Sequence, residues 1–250
     1  MAAAAMTLAG VVLAFLSMIQ VVAGNFSTAV WLLFAATMAD LLDGTVARAL
    51  GAISPFGQEL DSLADVIAAG VAPAFLIHQV YFADRGTLGA LVAAAWIGAV
   101  ACRLARFNVA PAGPHRNYFV GIPCPIAATL LCHYLLFSRE TFGTDGSPLI
   151  IFALVVVLGG LMLSTVPYWK STTLLPHEFW NHPYGLGTVG TAVAAAFVPN
   201  QTFFVILSLS IVAAIVGQLV GRPGFARQTM TTTATPSEPI VLSQIEPALR

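Results

Sequence analysis

Charge is what this sequence has least of. Only 8% of its 250 residues are Asp, Glu, Lys or Arg, against roughly 25% in an ordinary soluble domain. With 58% hydrophobic residues and a mean hydropathy of +0.87, that scarcity excludes a water-soluble globular domain. A net charge of −1 leaves no basic footprint for nucleic acid. Cysteine is scarce as well: Cys102, Cys124 and Cys132 lie in or beside apolar runs without zinc-site or redox spacing, which makes them small buried hydrophobes. No basic n-region precedes the apolar run in residues 1–24, so that run, long enough to span a bilayer, reads as a retained first helix rather than a cleaved signal peptide. The same lack is compatible with a start that lies upstream or was trimmed. No fixed-period repeat or second domain is evident.

What the sequence has in quantity is long hydrophobic runs broken at polar, Gly or Pro clusters. They predict helices near 4–23, 27–47, 57–82, 87–108, 120–138, 148–167, 185–198 and 201–220. The expected fold is all-α, a polytopic integral membrane bundle of about eight transmembrane helices. Six or seven are possible, because the seventh is short and only Pro199 and Asn200 divide it from the eighth. Residues 1–221 form one transmembrane domain, and 222–250, rich in Thr, Pro and Ser, read as a flexible cytoplasmic tail. With the N-terminus inside, Arg48, Arg103, Arg106, Arg116, Lys170, Arg222 and Arg227 fall on the cytoplasmic side and only Arg85 and Arg139 outside, as the positive-inside rule expects of a multi-pass cell-membrane protein.

Against this background one stretch stands out. Residues 1–39 carry no charge, yet residues 40–65 hold five of the eleven acidic residues. Asp40, Asp43, Gly44 and Ala47 recur at helical spacing on one face of the second helix, and Gly57, Asp61 and Asp65 on one face of the third. Joined by a turn near 51–55, the two helices bring four carboxylates toward one point, at the cytoplasmic end. Small Gly44, Ala47 and Gly57 leave room for a bulky group to approach the backbone. Arg48 alone cannot balance four carboxylates, whereas two hard divalent cations such as Mg²⁺ or Mn²⁺ would, and both favour all-oxygen ligands. Two such ions can bind phosphate oxygens and assist a displacement. Interfacial charges paired with Arg48, or a cation transporter using the aspartates as an ion path, are the competing readings.

The full spacing, D-x2-D-G-x2-A-R-x8-G-x3-D-x3-D through Asp40, Asp43, Gly44, Ala47, Arg48, Gly57, Asp61 and Asp65, resembles the signature of the CDP-alcohol phosphatidyltransferases. These are membrane enzymes that displace CMP from a CDP-linked lipid with an alcohol. The resemblance implies a two-metal site on Asp40, Asp43, Asp61 and Asp65, with Asp65 also the general base. It further implies a nucleotide site shaped by Asp40, Gly44, Ala47, Arg48 and Gly57, and a homodimer. Three further segments, ELDSLADVIAAGVAPA at 59–74, RLARFN at 103–108 and YFVGIPCP at 118–125, resemble bacterial and archaeal phosphatidylserine synthases, with Ala68 and Ala69 as one departure. Substrates implied are CDP-diacylglycerol and L-serine, in contact with membrane lipids. Glycerol 3-phosphate or an inositol phosphate are the other acceptors to weigh.

Selecting serine calls for a cation and hydrogen-bond acceptors near the metals. Arg103, Arg106 and Asn108 supply suitable groups for the acceptor or for a lipid phosphate, although positive-inside anchoring accounts for the arginines equally well. Pro123 and Pro125 set where the fifth helix begins. His78 and His133 lack ligand-spaced partners and read as structural, and His115, His177 and His182 lie in predicted loops. Residues 177–187 match no known pattern.

Overall fold

The computed structural model describes residues 2–49, 54–109, 118–165, 167–169, 204–209 and 211–212, without the side chains of 2–3, 41–49, 55, 118–120 and 167–169. The expected helix at 185–198, the tail 222–250 and the loop histidines lie outside the described residues. Helix α1 (Ala2–Val22) and α2 (Phe26–Ala49) form a hairpin. Its turn uses Gly24 at φ 76°, where a side chain would be strained, and Ser17 Oγ donates to Ala29 O at 2.9 Å across the pair. Ala14, Ala29 and Ala36 are fully buried, small enough to let the two backbones close up.

The third rod begins at Ser54, whose hydroxyl caps α3 (Pro55–Asp65) by accepting from Gly57 N, with proline in the first turn, where its missing N–H is no loss. Immediately after Asp65 the helix widens into a π turn, Val66–Val71, before α4 (Ala72–Ile77), a second π turn (His78–Phe82) and a short 3₁₀ turn (Ala83–Arg85). The first widening has a traceable cause. Pro73 has no N–H to give the carbonyl of Ala69, and the indole Nε1 of fully buried Trp96 donates to that carbonyl at 2.9 Å instead. Trp96 belongs to α5 (Gly86–Val109), which returns along the rod. Replacing Trp96 with Phe should cost about 1–3 kcal/mol by leaving the Ala69 carbonyl unmet. Thermal unfolding in detergent reads this out, and a Trp96→Phe protein as stable as wild type would refute the pairing.

Helix α6 (Cys124–Phe142) is the centre of the bundle, buried on every side over residues 130–136, and α7 (Pro148–Leu163) flanks it. At one end of the bundle Arg139 pairs with Asp145 and lies 5.2 Å from the Phe26 ring centroid, and Tyr81 Oη donates to Asp145 O. This fastens the α6–α7 turn to the third rod and to α2. The outward faces are apolar: Leu8, Val12 and Phe15 on α1, Phe152, Val156 and Val157 on α7. Ala4–Val22 (19 residues, mean hydropathy 2.2) and Phe56–Val109 (54 residues, mean hydropathy 1.8) are long and apolar enough to cross a membrane. The second folds back at Gly86, φ 54°, so it is two legs rather than one.

The all-α expectation needs one addition. Strands β1 (Tyr118–Val120) and β2 (Pro167–Trp169) pair antiparallel, Tyr118 opposite Trp169 and Val120 opposite Pro167. The fifth helix, expected from 120, therefore starts at Cys124, and the sixth, expected to reach 167, stops at Leu163. Gly121 at φ 77° and the extended Ser164, ψ 164°, turn the chain out of the helices and into the ribbon. Residues 204–209 and 211–212 are helical, within the run expected as the last helix.

Candidate active site

The acidic residues singled out in the sequence gather at the end of the bundle opposite Arg139. Asp40 is half-buried on α2, and Asp43, Gly44, Ala47 and Arg48 follow on the same helix, their side chains outside the described residues. Asp61 and Asp65, half-buried, stand one turn apart on α3, and Asp65 is its last residue before the π turn. Helix α2 packs against that π turn and α4, and α3 packs against α1. Asp40, Asp61 and Asp65 each make further interactions within the protein. Gly57 has a local reason to be glycine, since a Cβ there would stand 3.1 Å from the capping hydroxyl of Ser54.

Among the described residues no group of three or more His, Cys, Asp or Glu side chains is assembled to hold a metal ion; the side chain of Asp43 is not among them. The donor chemistry nevertheless fits a hard cation. Three half-buried carboxylates on adjoining elements offer only oxygen, the ligand type that Mg²⁺ and Mn²⁺ prefer. His133 is far from this role: 1% exposed in mid-helix, it sits with Nδ1 2.9 Å from Thr129 O and takes edge contacts from Trp31 and Phe34.

The three residues expected near the acceptor turn out to do three different things. Asn108, at the end of α5, exchanges hydrogen bonds with the hydroxyl of Ser62 (Nδ2 to Oγ, 3.1 Å), and Ser62 is next to Asp61. It ties the end of α5 to the helix that carries the carboxylates. Arg106 clamps the C-terminus of α7: its Nη1 donates to Leu163 O at 2.8 Å, and Nη2 to Met162 O and Ser164 O at 3.0 and 3.1 Å. Those are carbonyls a helix end leaves without intrahelical partners, and a cation there is favourable. Arg103 is different again. It is 7% exposed, its Nη1 meets only the weak acceptor Cys124 Sγ at 3.5 Å, and its Nε is buried with no acceptor among the described residues.

Sequence reasoning missed Gly121, Ser62 and Cys124. Gly121 fits under the end of α7 so closely that a Cβ would lie 2.4 Å from Met162 O and 3.1 Å from Arg106 Nη2. The next residue donates from Ile122 N to Leu161 O at 3.3 Å. Pro123 is the N-cap of α6 and Pro125 lies in its first turn, as the sequence predicts for where that helix begins. A glycine two residues ahead of two spaced prolines was the available signal that the chain makes a forced turn here.

A family model described as CDP-alcohol phosphatidyltransferase matches residues 1–166. The chain is similar to the CDP-diacylglycerol–serine O-phosphatidyltransferase of Helicobacter pylori (strain ATCC 700392 / 26695), with 37% identity over 163 residues covering 65% of this chain and 69% of the relative. It is similar to the protein of the same name from Methanocaldococcus jannaschii, with 31% identity over 186 residues, 74% of this chain and 72% of the relative. The archaetidylserine synthase of Methanothermobacter thermautotrophicus shares 36% identity over 156 residues, 62% of this chain and 63% of the relative.

Proposed function

The chain belongs to the CDP-alcohol phosphatidyltransferase family, and on that premise we propose that it transfers the phosphatidyl group of CDP-diacylglycerol to the hydroxyl of L-serine, releasing CMP. One observation carries this reading. The carboxylates of Asp40, Asp61 and Asp65 share one end of the bundle with a buried arginine, Arg103, so that a base and an anion receptor are available to one small substrate. The names of the relatives supply the acceptor.

An aliphatic hydroxyl is a poor nucleophile unless a positioned base takes its proton. Asp65 does this as the serine oxygen attacks the phosphorus that bears diacylglycerol. A new P–O bond forms, the bond from that phosphorus to the bridging oxygen breaks, and its electron pair leaves with CMP. Two divalent ions, Mg²⁺ or Mn²⁺, held by Asp40, Asp43, Asp61 and Asp65, would supply positive charge against the diphosphate. Gly44, Ala47 and Arg48 on α2 and Gly57 on α3 line the nucleotide's approach. Arg106 and Asn108 act by position, through α7 and Ser62. The site faces the cytoplasm of a multi-pass cell-membrane protein, a reading supported by Arg103 and Arg106 lying at the carboxylate end and Arg85 and Arg139 at the other. A homodimer fits the exposed small-residue line Ala94, Gly98 and Cys102 on α5, where a Cβ on Gly98 would meet nothing within 4 Å.

Purified protein in detergent, given CDP-diacylglycerol, Mn²⁺ and labelled serine, glycerol 3-phosphate or inositol phosphate, should release CMP together with a serine-containing lipid. Lipid product from another acceptor and none from serine would reject the assignment. In the same assay EDTA should stop turnover and excess Mn²⁺ or Mg²⁺ restore it; a rate indifferent to chelation would remove the metals from the reaction.

A further inference from the structure

We propose that Trp96 is a positioning residue for the transfer: by donating to the Ala69 carbonyl, its buried indole keeps the third rod in the π turn at Val66–Val71, and that turn sets the bearing of Asp61 and Asp65 relative to Asp40 on α2. The inference rests on the transferase reading above for what the carboxylates do, and adds the residue that aims them.

A π turn closes over five residues where an α turn closes over four, and here Ala72 N donates to Ile67 O. At about 3.6 residues per α-helical turn, one extra residue is worth about 100° of rotation between the segments on either side. The segment before it is α3, which ends at Asp65, and the segment after it is α4. They are not equally free to turn. Five of the six residues of α4 are buried, whereas α3 leaves Phe56 and Leu63 exposed. Closure of the turn to the α pattern would therefore rotate α3 and carry Asp61 and Asp65 away from their present bearing.

Two groups oppose that closure. Pro73 makes the α pattern poor, because it has no N–H for Ala69 O. Trp96 makes the π pattern good: it is 0% exposed, so its N–H needs an acceptor inside the protein, and Ala69 O at 2.9 Å is that acceptor. The turn lies flush on α5, where a Cβ on Gly70 would stand 3.4 Å from Val100 Cγ1. Helix α5 also holds the rod on the other side of Asp65, through Asn108 Nδ2 and Ser62 Oγ at 3.1 Å. That outer tie is exposed and water can replace it, whereas a buried carbonyl deprived of its donor is costly.

The test uses the full-length protein in detergent with CDP-diacylglycerol, serine and saturating Mn²⁺. Trp96→Phe, which keeps an aromatic ring and loses the N–H, should lower kcat roughly tenfold to a hundredfold while KM for both substrates stays within about twofold. Mn²⁺ binding, read without substrate from the free-ion EPR signal, should weaken about tenfold or more. Pro73→Ala alone should keep wild-type turnover, because the indole still holds Ala69 O. Added to Trp96→Phe, it supplies a donor from residue 73 and lets the turn close, so the unfolding temperature should recover while kcat stays low. A purely structural tryptophan would not give that split. Recovery of kcat together with the unfolding temperature in the double variant would overturn the proposal, as would wild-type kcat or wild-type Mn²⁺ binding in Trp96→Phe. If the wild-type protein uses another acceptor and not serine, the variants are read with that acceptor and only the serine assignment falls. If it transfers to none, the transferase reading falls, and equal Mn²⁺ binding by wild type and Trp96→Phe then overturns this inference as well.

Discussion

Asp65→Asn should abolish measurable phosphatidyl transfer while the protein folds and still binds CDP-lipid. Asn has nearly the volume of Asp, and position 65 is half-buried at the last turn of α3, so packing changes little. What is lost is the basic oxygen. General-base catalysis is worth roughly 10²–10⁴-fold, about 2.7–5.4 kcal/mol on the barrier. On the proposed four-carboxylate site the change would also weaken metal binding, and the two effects separate experimentally. If Asp65 served only as a ligand, saturating Mn²⁺ would restore the rate of Asp65→Asn, as it should largely do for Asp61→Asn. If Asp65 takes the proton, the rate stays low at any Mn²⁺ concentration while CDP-lipid binding recovers. Normal turnover in Asp65→Asn at ordinary Mn²⁺ would remove this residue from the mechanism.

The placement of Asp65 shows what a sequence of this kind reveals and what it hides. Hydropathy alone located the first six helices to within a few residues, because a run of apolar side chains has to lie against other protein or lipid wherever it goes. It also showed that Asp40, Asp61 and Asp65 occupy helices and not loops, since charges in such a chain are few enough to count. Where Asp65 points depends on something the pattern does not carry. The π turn that follows it is stabilised by an indole on α5, about thirty residues away in sequence, donating to a carbonyl that Pro73 cannot satisfy. The ribbon of β1 and β2 escaped for a different reason: three residues per strand are too few for an alternating pattern to register, and the pairing joins segments nearly fifty residues apart.

The arginines make the same point at the level of chemistry. Arg103 and Arg106 are one helical turn apart on α5 with the same side chain and the same sequence context, and position in the chain gives no means of separating them. The structure separates them by their neighbours. Arg106 lies beside the last carbonyls of α7, which draw a cation because a helix end leaves them unmet, and its guanidinium donates to them. Arg103 faces the start of α6, where the chain offers donors and no strong acceptor. An arginine beside the end of a helix meets acceptors, whereas one facing the start of a helix meets donors like its own. The sign of the helix dipole, not the residue type, separates the two environments.

Gly121→Ala should be among the most damaging single-methyl changes in the chain. Its backbone, at φ 77°, sits in the left-handed region, which costs about 1–2 kcal/mol for a residue with a Cβ. The added methyl would meet Met162 O at 2.4 Å, with Leu161 O and Arg106 Nη2 each at 3.1 Å. Those atoms are not free to retreat, because Arg106 holds the last carbonyls of α7 and Ile122 N bonds Leu161 O. Overpacking at a rigid site adds roughly 1–3 kcal/mol, for a total of about 2–5 kcal/mol, at the upper end for a point change. The damage should reach activity as well as stability. Gly121 leads through Ile122 into Pro123 and Cys124, so relief of the clash would move the start of α6 relative to Arg103, and serine affinity should fall in the protein that remains folded. Gly160→Ala is the control: on the outer face of α7 its Cβ would meet nothing within 4 Å, and alanine in place of glycine inside a helix should gain up to about 1 kcal/mol. Unfolding temperature and serine KM measured for both variants in the same detergent decide the matter. If Gly121→Ala behaves like Gly160→Ala, the close approach of the turn to α7, and with it the fixed position of the start of α6, is wrong.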